Sequence, residues 1–408
     1  MRILLSEGSS LSAREAVTAL GIAGHVVDVC DPSSFCLGRF SRFVRRTYRC
    51  PAVGKDPFTY LDFVLHQLAT GDYDVLLPIH EQAFLFSRFR DRFPSNVGLA
   101  LADFPSFVQA QDKASFVRLL RQLAIPHPDT ELVTSETELR AQANFPFYLK
   151  TPYGTATSGV WRIDSQEQLE HAIDRLRRQD FLNGQGEILV QQPARGSLER
   201  VQSIFDHGVL VAWHGYQQVE EGSGGGDISK RSVYRPVVRD YVERLGNHLE
   251  WHGALSFDYY FDHRTGIPEF IDANPRLVEP MNGVFSGVNL ADILTRISLG
   301  EKVDPQPPGH GGMRSHMLLM ALLQTGARHR TPLSLLGDVV RALGGQGRFR
   351  SSREELLPIT LDPPSVISLA YVLFRLSIRP DSAARLASTT VQSYALSNQA
   401  IRQILASP

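Results

Sequence analysis

Four residues in one short stretch carry side chains that could hold a divalent cation and an anion together: Asp258, Asp272, Asn274 and Arg276. Residues 253–283 read G-A-L-S-F-D-Y-Y-F-D-H-R-T-G-I-P-E-F-I-D-A-N-P-R-L-V-E-P-M-N-G. Leu255, Phe257, Tyr259 and Phe261 alternate onto one face of a strand, which leaves Asp258 on the other. Residues 262–266 supply a turn, and 268–273 return as a second strand. Folding about Thr265 brings Asp272 opposite Asp258, and Asn274 shares a face with Asp272. A carboxylate in an apolar strand is costly when unpaired, and two that face each other repel. A hard cation relieves both problems. Mg²⁺ takes one or two carboxylates and leaves its other positions to water and substrate phosphates; Mn²⁺ accepts the same oxygen donors. Arg276 follows as a fixed cation shaped for a phosphoryl or carboxylate oxygen. The plain alternative is a solvated hairpin with surface acids, and the compound pattern argues against it.

Other elements must position this hairpin. Residues 1–102 alternate strand and helix: strands at 2–6, 25–30, 74–79 and 97–101, helices at about 12–20, from Pro57 onward and at 81–93. Repeated βα units imply a doubly wound parallel sheet. Its first turn, Ser6-Glu7-Gly8-Ser9-Ser10, lacks the G-x-G-x-x-G spacing of a dinucleotide site. His80 and Glu81 fall where open α/β sheets place ligands, although a helix-capping role fits Glu81 equally well. Asp112 can cap a helix that begins at Lys113. A strand at 145–150 ends in Lys150 and runs into a small-residue loop at 151–160, whose N–H groups and hydroxyls suit phosphate oxygens. Another strand spans 187–192. Strands at 201–205 and 209–213, a Gly-rich loop at 220–226 and a helix at 235–249 lead to the hairpin. Residues 306–408 read as mostly helical and carry no catalytic signature.

The hairpin resembles the C-terminal half of the ATP-grasp superfamily, where a strand acid and an acid-x-Asn hold Mg²⁺ under ATP and an arginine follows. Asp258, Asp272, Asn274 and Arg276 are the matching positions. The family often has Glu at one or both acidic places, and the two shorter Asp side chains leave the number of ions open. The resemblance covers roughly residues 1–305. It implies a pre-ATP-grasp domain at 1–102 and an ATP-grasp domain at 103–305, with a small lobe at about 103–190 and a large lobe at about 191–305. Residues 306–408 would be an extra, mostly helical region, and the fold class is α/β with α+β. The resemblance further implies that Lys113 and Lys150 contact the phosphates and the adenine side, and that residues 153–159, with Tyr153, Gly154, Ser158 and Gly159, cover the triphosphate. Gln191 stands where the family usually has an acid at the adenine edge, with Gln192 and Ala194 offering backbone contacts. Glu199 becomes a ribose acceptor, or else a partner of Arg195 or Arg200. Lys230 or Arg231 would reach the transferring phosphate, or else form a solvated basic pair.

Bulk properties are compatible with this reading. The chain has 408 residues, 43% hydrophobic and 21% charged, with a formal net charge of −1, so no bulk charge favours nucleic acid or an anionic membrane. No apolar run reaches the length of a membrane span, and the start of the chain does not read as a signal peptide. Three cysteines without metal-site spacing suggest reduced thiols in the cytoplasm. The expected activity is an ATP- and Mg²⁺-dependent ligase that joins a small carboxylate to an amine, with amino acids as candidate substrates, through an acyl phosphate with release of ADP and phosphate. A carboxylase or carbamoyl-phosphate-type enzyme is the alternative acceptor chemistry, and a non-catalytic nucleotide-binding regulator is the alternative class. A homo-oligomer is possible.

Overall fold

The computed structural model describes residues 1–155, 159–182, 186–222, 225–328, 331–379, 382–383, 386, 391–392 and 394–407. Three sheets organise them. The first consists of β1 (Arg2–Leu5), β2 (Val26–Asp31), β3 (Val44–Arg49) and β4 (Val75–Leu77), all parallel in the order β3-β2-β1-β4. Ser10 caps the crossover helix Leu11–Ile22, and Asp56 with Pro57 starts the helix Pro57–Thr70. Two details differ from the sequence reading. Val44–Arg49 is a strand, and its half-exposed arginines suit its place at an open sheet edge. The strand expected at 97–101 shrinks to a single parallel bridge between Val75 and Gly98. The next ladder donor, the N–H of Ala100, goes instead to Ser298 Oγ at 3.3 Å.

The second sheet is antiparallel, with β5 (Thr130–Val133), β6 (Phe147–Lys150), β7 (Val160–Ile163) and β8 (Ile188–Gln191) in the order β5-β8-β6-β7. The amphipathic helix Gln166–Arg178 buries Leu169, Ile173 and Leu176 against Phe147, Leu149 and Val190.

The third sheet holds β9 (Ser197–Asp206), β10 (Val209–Glu221), β11 (Asp227–Val233), β12 (Gly253–Asp262), β13 (Ile267–Asn274), β14 (Arg314–His316) and β15 (Arg353–Glu354), ordered β13-β12-β9-β10-β11-β14-β15. The expected hairpin is β12–β13, with Asp258 directly opposite Asp272. Leu255, Phe257 and Tyr259 are fully buried on its far face with Phe270. Residues after 306 add two strands to this sheet as well as helices at Leu318–Ala327, Pro332–Leu343, Ser365–Ile378 and Asn398–Ala406. The architecture is α/β with α+β.

A buried ion pair ties these late residues to the first helix. Arg14 donates to Asp362 Oδ2 at 2.6 Å, to Ser365 Oγ at 3.0 Å and to Thr18 Oγ1 at 2.6 Å, while Asp362 Oδ1 accepts the Arg42 N–H at 2.8 Å. Both charges are fully buried. Removing one partner leaves the other unpaired, so Asp362→Ala should lower stability in urea titrations by about 3–5 kcal/mol. A double replacement, Arg14→Met with Asp362→Leu, should recover most of that loss.

Candidate active site

Strand register puts polar side chains on one face of the third sheet in two cross-strand rows. The first runs Asp272, Asp258, Arg200, Tyr216, Ser232, and the second Asn274, Ser256, Gln202, His214. Lys230, opposite Gln218, belongs to the same face. This face is the floor of a cleft. The second sheet and the helix Lys113–Gln122 supply its roof: Lys113 lies 3.2 Å from Asp272 Oδ1 and 3.4 Å from the Gly154 carbonyl, and Lys150 donates to the Ile271 carbonyl at 3.1 Å. Arg200 Nε reaches Asp258 Oδ1 at 3.2 Å and clamps Asp227 at 2.8 and 2.9 Å. Burial pushes the Asp258 carboxyl up; Arg200 opposes this and Asp272 adds to it. Burial also lowers Lys150 to about 8, with Lys113 adding to the effect and Asp272 resisting it. Arg276 contacts Thr155 Oγ1 at 3.3 Å, and its buried Nε has no hydrogen-bond partner. Two facing carboxylates, an amide oxygen in the next row and an orphaned guanidinium nitrogen fit a hard cation carrying a polyphosphate.

The structure brings Lys113, Lys150, Tyr153, Gly154, Gly159, Asp258, Asp272, Asn274 and Arg276 to this cleft. Gly159 has φ +78°, and a Cβ there would lie 2.1 Å from Thr151 Oγ1, so the loop closes only with glycine. The Tyr153 ring packs edge-on against Phe84, and burial, with the neighbouring Asp112 carboxylate, pushes its hydroxyl pKa up. Ser158 lies outside the described residues. Gln191 is buried and donates to Thr130 Oγ1 at 3.0 Å, which turns its carbonyl oxygen away from that partner. The Gln192 N–H is taken by the Asp129 carbonyl at 2.8 Å, so its carbonyl is the group left for a ligand, and Ala194 is half-buried beyond it.

Two expected site residues point elsewhere, for one reason. Alternation puts Arg231, Gln217, Glu199 and Tyr259 in a row on the back face. Glu199 is fully buried there, bonded to Arg235 at 2.8 and 3.1 Å and to the Tyr259 hydroxyl at 2.9 Å, so it is a structural ion pair and not a ribose acceptor. Arg231 is exposed and donates to Gln217. Lys230 is the member of that pair that faces inward. It lies 2.5 Å from Glu279, 2.8 Å from Glu355 and 4.0 Å from Glu15. Burial lowers its pKa, but the three carboxylates outweigh that and hold it well above the ordinary lysine value. Burial raises Glu355 to about 6 and Glu15 well above its usual range, against the pull of Lys230. Sequence reasoning missed Arg200, Asp227, Glu15 and Glu355. A charged residue at an inward position of an apolar strand was the available signal for Arg200; Glu15 and Glu355 had none.

The first βα turn is filled from within. Glu7 accepts the N–H groups of Ser9 and Ser10 at 2.7 and 2.9 Å, and Asp31 accepts that of Gly8 at 3.0 Å. An anion therefore finds no free donors among them. At the same sheet edge Tyr394 stacks on His80 at 3.9 Å, and Glu81 accepts the Leu396 N–H at 2.6 Å instead of capping its helix.

Solved structures share this architecture. A biotin carboxylase–beta-gamma-ATP complex from Campylobacter jejuni matches with TM-score 0.61 at 14% identity, covering 77% of this chain and 74% of that one. An N5-carboxyaminoimidazole synthetase with ADP from Staphylococcus aureus matches with TM-score 0.61 at 11% identity, covering 86% and 91%. An L-amino acid ligase from Bacillus licheniformis matches with TM-score 0.55 at 15% identity, covering 74% and 75%. The chain has the fold of the ATP-grasp superfamily. Among curated proteins, it is 26% identical over 211 residues to the carbamoyl phosphate synthase large chain of Methanoculleus marisnigri, and 28% identical over 223 residues to that of Rubrobacter xylanophilus. Those matches cover 48% and 50% of this chain but only 19% and 20% of the relatives. No protein-family model matches the chain. Among the described residues no helix is long and apolar enough to cross a membrane.

Glu7 gives the site a pH signature. Burial, helped by Asp31, raises its carboxyl from 4.5 to about 7. Between those values the unfolded chain releases a proton that the folded chain keeps, so stability falls as pH rises from 4.5 to 7. The whole effect is on the order of 3 kcal/mol. Urea titrations at pH 5 and pH 7.5 should show this decline in the wild type and a flatter profile in Glu7→Gln.

Proposed function

We propose that the protein is an ATP- and Mg²⁺-dependent ligase that joins a small carboxylate to an amine through an acyl phosphate. The observation that carries the reading is the Asp258–Asp272 pair, opposed across two strands and surrounded by Lys113, Lys150, Arg200 and Arg276. Asp258, Asp272 and Asn274 would hold the metal, which when bound screens the phosphate charge. Lys113 and Lys150 would bind the phosphates under residues 153–159, with Gln191, Gln192 and Ala194 at the base. Arg276, with its unpartnered Nε, would orient the acceptor carboxylate. The names of similar proteins, which include ligases, carboxylases and carbamoyl phosphate synthases, support ATP-dependent activation of a carboxylate.

In the first step a carboxylate oxygen attacks the γ-phosphorus; a new O–P bond forms and the bond to ADP breaks. Next the amine nitrogen attacks the acyl carbon, a C–N bond forms and phosphate departs. The incoming ammonium sheds two protons over this course, one carried off with phosphate and one released to solvent. The ring of Glu15, Glu279 and Glu355 about Lys230 favours the amine reading over a carboxylase. Glu15 and Glu355, whose pKa values burial raises, can help to hold an ammonium and accept its proton near neutral pH. The chain's part is positioning and charge neutralisation, and no covalent nucleophile is needed.

Incubation with ATP, Mg²⁺ and pooled amino acids should yield ADP, phosphate and a product with a new amide mass. Asp272→Ala should reduce turnover by about 10²–10³-fold, and unchanged turnover would remove the metal assignment. AMP and pyrophosphate would overturn the acyl-phosphate route, whereas ADP formation driven by bicarbonate alone would move the reading to a carboxylase.

A further inference from the structure

Two helices of the late region leave broad apolar faces uncovered. On Pro332–Leu343, Leu333, Leu336, Val340 and Leu343 recur at intervals of three, four and three residues. On Ser365–Ile378, Ile367, Tyr371, Phe374 and Ile378 recur at four, three and four, with Val366 beside them. Each of these nine side chains is at least 45% exposed. Their opposite faces are already used: Leu335, Leu369, Val372 and Leu376 pack into the cluster built on Leu318–Ala327. The two helices also contact each other and the helix Leu318–Ala327, so their outer faces lie side by side.

The alternation of three and four is the seam of a coiled coil, where one helix meets another. A lipid surface selects a broader apolar face flanked by basic residues. Here the flanking positions are mostly small, Gly337, Gly344, Ala370 and Ser377, and the two arginines beside them are engaged within the chain, Arg341 with Asp338 at 2.7 Å and Arg375 over the Tyr371 ring at 5.9 Å. Partners of different sequence are sorted by charges at such flanks; small, uncharged flanks let a seam pair with its own copy. Taking roughly 150 Å² for a fully exposed large side chain, the nine together present on the order of 800 Å². That is more than the patch of about 300–600 Å² usual on a monomer, and matches the roughly 800 Å² each partner gives to a stable interface.

We propose that this face binds a second copy of the chain, the two helices and their two-fold mates closing a four-helix bundle. Light scattering after size exclusion, on the full chain at tens of micromolar, should give twice the mass of one chain. Leu336→Glu with Phe374→Glu should weaken association by at least about a hundredfold and leave the circular dichroism spectrum unchanged, since both side chains already face solvent. A monomeric wild type would overturn the proposal, and co-sedimentation of that monomer with phosphatidylglycerol vesicles would assign the face to lipid. A double variant that stays dimeric would also overturn it, because the dimer would then use another surface. A disulfide-linked dimer in Val340→Cys, together with dissociation of the glutamate variant, would support it.

Discussion

The row Asp272–Asp258–Arg200 imposes the constraint that organises the rest of the cleft. Residues that face each other on neighbouring strands have Cα atoms only about 5 Å apart, and buried carboxylates that close are unstable unless cations reach them. The cations come from separate parts of the chain. Lys113 starts a helix, Lys150 ends β6, Arg200 sits on the next strand and Arg276 stands where the chain leaves β13. Lys113 lies 3.2 Å from Asp272, and Lys150, at the end of β6, donates to the Ile271 carbonyl, so the helix that Lys113 begins and the second sheet are both tied to the carboxylate strand.

How much of this was legible depended on how local the signal is. The hairpin and its opposed aspartates were readable because strand period, turn residues and acid spacing lie within about two dozen residues. Asp112 as a cap, Lys150 at a strand end and the close-packed Gly159 were readable for the same reason. Glu199 and Arg231 were misplaced because the strand phase of β9 and β11 was not carried through. Counting by twos from Asp258 through its neighbours puts Arg200 and Lys230 inward and sends Glu199 and Arg231 to the back. Glu15 and Glu355 were out of reach, since no periodicity relates a residue of the first helix to one that follows β15.

That distance matters for what the late residues do. Asp362 holds Arg14, Glu355 holds Lys230, and Tyr394 and Leu396 cover His80 and Glu81. Ile401 and Ile404 complete the core shared by the first and third sheets. A region with no motif of its own thus reaches the first helix, the sheet edge at His80 and the carboxylates about Lys230. Glu355 and Asp362 are drawn inward to these contacts, and Asp338 is buried against Thr325 and Arg341, which leaves the outer faces of the helices Pro332–Leu343 and Ser365–Ile378 largely apolar.

The same inward pull concentrates carboxylates around Lys230. Lys230 is surrounded by three carboxylates; burial, against the pull of Lys230 and with a smaller contribution from the neighbouring acids, keeps Glu15 and Glu355 protonated above their ordinary range. Tyr216 OH, Gln202 Oε1 and Glu355 Oε1 lie buried in the same neighbourhood without hydrogen-bond partners. Unmet acceptors beside surplus negative charge are a cost to folding, and a ligand that brings donors and positive charge removes that cost. An ammonium group does both, whereas a second anion would add to the repulsion around Glu279. The fold is thus shared with other proteins, whereas the carboxylates drawn in from the first helix and the late region are the feature on which the amine reading proposed above rests.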